Sequence, residues 1–238
     1  MKLCILDNDV LQPELVTRYT NFGVMFERLL EDADAGWSYD VFNTMEGQYP
    51  ASFDNYDAVL LTGSESDSFS NEAWVVELRR QVTALLQARK KMVGVCFGHQ
   101  LIGLCLGAPV GRAPQGWGEG RQQYDWHRPD LPYCAGRSEI HLLASHQDQV
   151  LALPDGATLL AGSSFCPVAA FTVGQHIFCV QAHPEFDAAF SQHLLQEHRD
   201  RLGEVDFAAK VHELALGHEG AHIARMMVAF VEGSPRGG

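Results

Sequence analysis

The sequence predicts an α/β fold: a mostly parallel central sheet flanked by helices, with antiparallel strands added to it. Three observations predict it. Up to about Gly107, short apolar runs alternate with longer segments of helical spacing, the pattern of βαβ units. Within that half, Met92-Val-Gly-Val95 turns abruptly at Cys96 into a helical segment. After Gly107 the texture changes to short β-like runs punctuated by glycines and turn signals.

The elements follow in order. Lys2 to Asp7 is a short apolar run ending in polar residues, which suits a buried first strand. Pro13-Glu14 opens a helical pattern in which Leu15, Phe22, Met25, Phe26, Leu29 and Leu30 recur as one continuing segment. Trp37 to Phe42 alternates as a second strand, and Tyr56 to Gly63 reads as a third that runs into the loop Ser64 to Ser70. Asn71 is placed to cap a helix from Glu72 to about Lys90. The strand from Met92 then leads to Cys96, at the carboxyl end of a strand, where open α/β sheets hold their ligands.

Pro109 to His127 carries Gly111, Gly116, Gly118 and Gly120 and has no helical pattern. Short runs follow at Ile140–Ala144, Thr158–Ala161, Val168–Val173 and Ile177–Val180. Turn signals at Pro154-Asp-Gly156 and Val173-Gly-Gln175 divide them, so hairpins are expected. Helical spacing returns after Pro184, over 186–202, 207–216 and 218–231, and residues 234–238 read as a frayed tail. With no internal repeat or linker, residues 1–238 are expected to form a single domain.

Composition narrows the function classes. The formal net charge of −13 argues against a nucleic-acid partner, because that affinity rests on Lys and Arg neutralising phosphates. No apolar stretch is long enough to cross a bilayer and no signal peptide is evident, so no membrane association is expected. The six cysteines are scattered without a CxxC pair, which suits free thiols in a reduced, cytoplasmic setting. No His or Cys set has metal-ligand spacing, and the glycines fit neither a P-loop nor a dinucleotide fingerprint. Neither a metal nor another cofactor is expected.

The Gly94-x-Cys96-x-Gly98 elbow forces its corner residue into a strained backbone conformation, and glycines flank it where side chains would clash. The first turn of a helix favours a thiolate, the reactive form of cysteine. A cysteine nucleophile needs a base, and the base needs a group that fixes its tautomer. Among 11 histidines, His183 in His183-Pro-Glu185 stands out, since it follows the apolar run Ile177 to Gln181 and so projects from a strand end. Glu185, two residues on, can turn back to hold the imidazole. His99 is expected to pack locally, and Cys105 to be a core residue.

Gly94-Val-Cys-Phe-Gly-His-Gln100 followed by His183-Pro-Glu185 resembles the class I (triad-type) glutamine amidotransferase family, in particular the amidotransferase domain of GMP synthase and its free-standing relatives. The resemblance extends over Leu106–Gly111, Gly116-Trp-Gly-Glu-Gly120, Ser145-His-Gln-Asp-Gln-Val150 and Pro154-Asp-Gly156. It implies a flavodoxin-like fold and a small-molecule substrate, glutamine or a related γ-glutamyl amide. Cys96 would attack the γ-carboxamide and form a γ-glutamyl thioester, His183 would shuttle protons, and Glu185 would orient His183. Two backbone N–H groups would form the oxyanion hole. The elbow positions the amide of Phe97, while the loop Thr62-Gly63-Ser64-Glu65, one glycine short of the family's Gly-Gly turn, offers Gly63 or Ser64. By the same resemblance Gln100 would lie beside bound glutamine, with a plain helix-surface glutamine as the alternative. His146 and Asp148 would shape the substrate site or a partner interface, or else end a hairpin.

The segment after His183-Pro-Glu185 is too short for a synthetase module. The leading expectation is therefore a glutaminase releasing ammonia for a separate synthetase subunit. One alternative is a stand-alone γ-glutamyl peptidase or hydrolase. Another, of a different class, is a non-catalytic binding or regulatory module on the same scaffold. A pocket for the departing group would lie among Gln115 to His127 and Ser64 to Ser70.

Overall fold

The computed structural model describes residues 1–128, 130 and 138–233. Cys134 and the tail 234–238 lie outside the described residues. The other five cysteines are free. The first half contains β1 (Lys2–Asp7), α1 (Pro13–Tyr19), α2 (Phe22–Glu31), β2 (Ser38–Asn43), β3 (Ala58–Leu61), α3 (Ala73–Gln87), β4 (Met92–Val95) and α4 (Phe97–Cys105). The second half contains β5 (Val110–Arg112), β6 (Gly118–Trp126), β7 (Glu139–His146), β8 (Asp148–Val150), β9 (Thr158–Gly162), β10 (Ala170–Val173) and β11 (Ile177–Val180). It closes with α5 (Ala188–Glu197), α6 (Arg199–Leu202), α7 (Glu204–Leu214) and α8 (Gly220–Glu232).

One nine-stranded sheet runs in the order β2-β1-β3-β4-β11-β10-β9-β6-β7. From β2 to β11 every pairing is parallel. From β11 to β7 every pairing is antiparallel. This is the expected α/β architecture, a parallel sheet flanked by helices and extended by antiparallel strands. β11 joins the two halves: it is antiparallel to its hairpin partner β10 and parallel to β4, with Val180 opposite Val95.

Strand periodicity builds the core. Successive side chains point to opposite faces, so Leu3, Ile5, Leu60, Val93, Val95, Phe178 and Val180 pack on one face, against Phe26 and Leu30 of α2 and Ile223 to Val231 of α8. Cys4, Leu6, Val59, Leu61, Met92, Ile177 and Cys179 pack on the other, against Val75, Leu78 and Val82 of α3 and Leu101 and Ile102 of α4. Burying each such aliphatic or aromatic side chain contributes about 1.5–3 kcal/mol. A third apolar cluster, with Leu11, Leu15, Phe22, Phe186 and Phe190, joins α1, α2 and α5 over the carboxyl edge.

Three local expectations are corrected. The helical pattern from Pro13 breaks into α1 and α2: Thr20 takes a left-handed conformation (φ 71°), and the Asn21 side chain caps α2 by accepting from the Val24 N–H at 2.8 Å. Asn71 does not cap α3; Glu72 holds the cap position without a side-chain bond to the first-turn backbone, and its N–H donates to Ser70 Oγ at 3.1 Å. Of the two turn signals, Val173-Gly-Gln175 joins the hairpin β10–β11, but Pro154-Asp-Gly156 does not make one. The strand before that turn, β8, pairs with β5, whereas β9 pairs with β10 and β6.

Candidate active site

Cys96 sits at the corner between β4 and α4 with φ 50° and ψ −104°. For a side-chain-bearing residue that backbone costs on the order of 1–3 kcal/mol and persists only where its surroundings enforce it. The two glycines make the corner possible. A Cβ on Gly94 would come within 2.7 Å of the Gly98 carbonyl oxygen, and one on Gly98 within 2.5 Å of the Leu61 carbonyl oxygen. The tight packing leaves Cys96 buried yet lining a cavity of about 430 Å³ at the carboxyl edge of the sheet.

Register brings the histidine to it. Because Val180 lies opposite Val95 and the Cys96 N–H donates to the Val180 carbonyl at 3.0 Å, the segment leaving β11 runs beside the elbow. The His183 N–H donates to the Leu143 carbonyl of β7 at 2.8 Å, which fixes its backbone from the other side. Its Nδ1 donates to Glu185 Oε1 at 2.7 Å, and its ring lies flat on Phe186, with centroids 3.9 Å apart and planes within 7°. Nδ1 is thereby committed to Glu185, which leaves Nε2 for Cys96. Burial alone would lower the imidazole pKa, but the charges of Glu185 and Cys96, with hydrogen bonds to both, raise it to about 10.

Gly63 is placed by β3 against both groups. A Cβ there would lie 2.8 Å from His183 Cε1 and 3.6 Å from Cys96 Cβ, so the imidazole occupies the space any side chain would need. The glycine is required to make room for the ring. Ser64 follows in the cavity wall, and Asp9 pins the loop by accepting from the Glu65 N–H at 2.7 Å. Burial raises the Asp9 carboxyl to about 6. Neither the Ser64 nor the Phe97 amide has a backbone acceptor among the described residues. The Phe97 ring is buried and stacks on Trp74 at 5.5 Å.

Gln100 is buried in the cavity wall and is no helix-surface residue; its Nε2 donates to the Asp148 carbonyl at 2.9 Å and to Gln181 Oε1 at 3.3 Å. His146 also lines the cavity, with Nδ1 3.2 Å from the Asp148 carbonyl oxygen. Burial, then the nearby charge of His183, pulls its pKa down to about 4. Asp148 does not end a hairpin: it starts β8, opposite Arg112 of β5, whose Nη1 donates to Asp148 Oδ1 at 2.9 Å. Burial raises the Asp148 carboxyl against the pull of Arg112. His99 packs locally, 5.1 Å from the Phe171 ring, and burial holds it neutral, with a pKa near 3. Cys105 is half-buried at the end of α4.

The structure thus brings Cys96, His183, Glu185, Gly63, Ser64, Phe97, Gln100 and His146 to one edge. Sequence reasoning missed the opposite wall of the cavity, formed by Leu11, Leu15, Phe22, Phe186, Phe190 and Leu194. Nothing in an apolar residue at helical spacing distinguishes a cavity wall from core. Among the described residues no group of three or more His, Cys, Asp or Glu side chains could hold a metal, and no helix is long and apolar enough to cross a membrane.

Comparison with known proteins agrees with this geometry. The family model described as glutamine amidotransferase class-I matches residues 33–198. γ-Glutamyl peptidase 3 of Arabidopsis thaliana is 35% identical over 190 residues, covering 74% of this chain and 75% of its own. The glutamine-hydrolyzing GMP synthase subunit of Methanocaldococcus jannaschii is 39% identical over 101 residues, 42% of this chain and 53% of its own. A glutamine amidotransferase structure from Thermotoga maritima superposes with a TM-score of 0.79 at 18% identity, covering 98% of both chains. The elbow and the His183–Glu185 pair both fall inside the matched region, and the chain belongs to the class I glutamine amidotransferase family of hydrolase and amidotransferase enzymes.

Proposed function

We propose that this enzyme is a γ-glutamyl peptidase, which cleaves the amide between the γ-carboxyl of a glutamyl group and the amine of a second moiety. Cys96 attacks the γ-carbonyl carbon as a thiolate, and its proton resides on His183. The tetrahedral oxyanion is held by the N–H of Phe97 and by that of Gly63 or Ser64, an arrangement in which losing one donor typically costs about 10²–10³ in kcat. His183 Nε2–H then protonates the departing nitrogen, the C–N bond breaks and the amine leaves. Water enters, gives a proton to His183 and attacks the thioester; the C–S bond breaks, glutamate is released, and the starting pair of Cys96 thiolate and protonated His183 is restored. Glu185 keeps Nδ1 engaged throughout, and Gln100 borders the acyl group.

The observation that carries this reading is the cavity. About 430 Å³ opens beside Cys96 and extends past His183 to walls contributed by α1, α2 and α5, more than the ammonia released from glutamine would use. The similarity to γ-glutamyl peptidase 3 over three quarters of its length supports the same choice. A second reading, a glutaminase that feeds a separate synthetase, draws on the shorter match to the Methanocaldococcus jannaschii GMP synthase protein.

The purified chain, assayed alone against glutamine and a panel of γ-glutamyl peptides, is expected to release glutamate from the peptides. Both Cys96→Ala and Cys96→Ser are expected to abolish that release while the fold is kept. Turnover of glutamine but of no peptide would establish the glutaminase reading instead, and activity retained in either variant would remove Cys96 as nucleophile.

A further inference from the structure

Resting on the peptidase reading above, we infer that the departing moiety carries a large apolar, uncharged side chain: the cavity wall formed by Leu11, Leu15, Phe22, Phe186, Phe190 and Leu194 is the leaving-group subsite, selecting γ-glutamyl amides of large hydrophobic residues or amines.

The proton that releases the amine fixes where the departing group lies. The leaving nitrogen must come within hydrogen-bond reach of His183 Nε2, because an amide nitrogen departs only as it is protonated. His183 lies flat on Phe186, with ring centroids 3.9 Å apart, and Phe186 is in turn 4.4 Å from the Phe190 ring. Phe22 closes the same aromatic group, 5.9 Å from Phe190 and 6.4 Å from Phe186. Whatever is bonded to the scissile nitrogen therefore extends from the imidazole along these rings. The acyl half is directed the other way, to the polar wall where Gln100, Ser145 and Asp148 lie. Cavity and catalytic geometry thus divide one substrate into a polar acyl half and an apolar departing half.

The hydrogen-bonding inventory beside the apolar wall agrees. Leu11 and Leu15 come from the start of the α1 region, and Phe190 and Leu194 stand one turn apart on α5, so two elements present hydrocarbon to the same space. Four of the polar side chains bordering the cavity, Gln12, Asp9, Arg112 and His198, are already committed. Gln12 Nε2 donates to Glu197 Oε1 at 2.5 Å, and both oxygens of Asp9 accept backbone N–H groups, from Val10 at 2.8 Å and Glu65 at 2.7 Å. The Arg112 guanidinium is held by Asp148 and Asp67, and His198 Nδ1 by the buried Glu119. With the carboxylates of Asp9, Glu65 and Glu197 around the cavity, a departing group that brings a further side-chain carboxylate meets repulsion.

The test is a specificity series on the wild-type enzyme, with γ-Glu-Leu, γ-Glu-Phe, γ-Glu-Gly, γ-Glu-Glu and glutamine. Burying one large aliphatic or aromatic group is expected to raise kcat/KM for the leucyl and phenylalanyl substrates about 10- to 100-fold over the glycyl one, with γ-Glu-Glu lowest among the peptides. Every substrate passes through the same γ-glutamyl thioester, so these differences belong to acylation and kcat converges wherever deacylation is limiting. Leu194→Asp, at a half-buried position of α5, is expected to compress the Leu-to-Gly ratio towards one, and Leu194→Met to restore it. A series in which γ-Glu-Gly or γ-Glu-Glu equals or exceeds γ-Glu-Leu overturns the subsite alone. Turnover confined to glutamine overturns the peptidase reading and the subsite together.

Discussion

At Gly63 one Cα makes room for the His183 ring and borders the oxyanion hole proposed above. Its neighbourhood holds the His183 ring so closely that a methyl group would stand 2.8 Å from Cε1, while Gly63 and Ser64 both line the cavity. Real carbon–carbon contacts do not reach that distance, so Gly63→Ala must turn the imidazole or displace the loop. A displacement near 1 Å at a reacting group costs on the order of 10²-fold. The expected result is a loss of kcat/KM of about that size with a melting temperature within a few degrees of wild type. Ser64→Ala keeps the amide and loses a hydroxyl whose partner is the Ser66 N–H at 3.1 Å, so its activity is expected to stay within severalfold of wild type. Equal damage from the two substitutions would show that the side chain at 64 matters as much as the space at 63. The family resemblance offered Gly63 or Ser64 as an oxyanion donor; the steric duty of Gly63 could not be read, since it depends on a histidine 120 positions downstream.

Elements inherit their limits from such contacts. The elbow closes only because α4 lies against β3, where the Gly98 N–H donates to the Thr62 carbonyl at 3.2 Å and the Gly98 Cα faces the Leu61 backbone. A methyl group on Gly98 would meet the Leu61 carbonyl oxygen at 2.5 Å, and neither partner is a flexible side chain. Overpacking of this kind typically costs about 1–3 kcal/mol, so Gly98→Ala is expected to lower the unfolding free energy by roughly 2–3 kcal/mol in a denaturant titration. Gly107→Ala is the informative comparison: its φ is 88° but no atom lies within 4 Å, so only backbone strain of about 1 kcal/mol is expected. If both cost the same, the contact with β3 is not what demands glycine at 98. Both elbow glycines were legible in the sequence, because a strand-to-helix corner has a known steric requirement. The division of α1 from α2 was not. Apolar periodicity from Leu15 to Leu30 continues through the break, and the deciding events are a left-handed Thr20 and an Asn21 cap, which are local and compete weakly with the periodic signal. That break matters to the site, since it carries Leu15 and Phe22 to the same cavity wall.

At the scale of the molecule, strand order is the part the sequence hides most completely. β11 follows β10 by a three-residue turn yet also inserts beside β4, more than 80 positions earlier, and only that parallel register sets His183 next to Cys96. Short apolar runs announce that strands exist but not which edges meet, because pairing energy is shared among backbone groups that every residue carries. Charge is different, because it can be counted before the fold is known and acts over the whole surface. A net charge of −13 surrounds a cavity bordered by Asp9, Glu65 and Glu197. Over the surface as a whole the field is therefore negative, and its reach depends on salt: the screening length is about 30 Å at 0.01 M and about 8 Å at 0.15 M. γ-Glu-Leu carries one net negative charge from its free carboxylate, whereas the corresponding γ-glutamyl alkylamide is a neutral zwitterion. Raising the ionic strength from low to physiological salt is expected to increase kcat/KM for γ-Glu-Leu severalfold and to leave the alkylamide nearly unchanged, because only the first must approach against the field. Steady-state assays of the two substrates at matched pH across that range measure the difference directly. A decrease with salt for γ-Glu-Leu would mean that a local cation, with Arg112 the first to examine, outweighs the global charge at the point where the departing carboxylate rests.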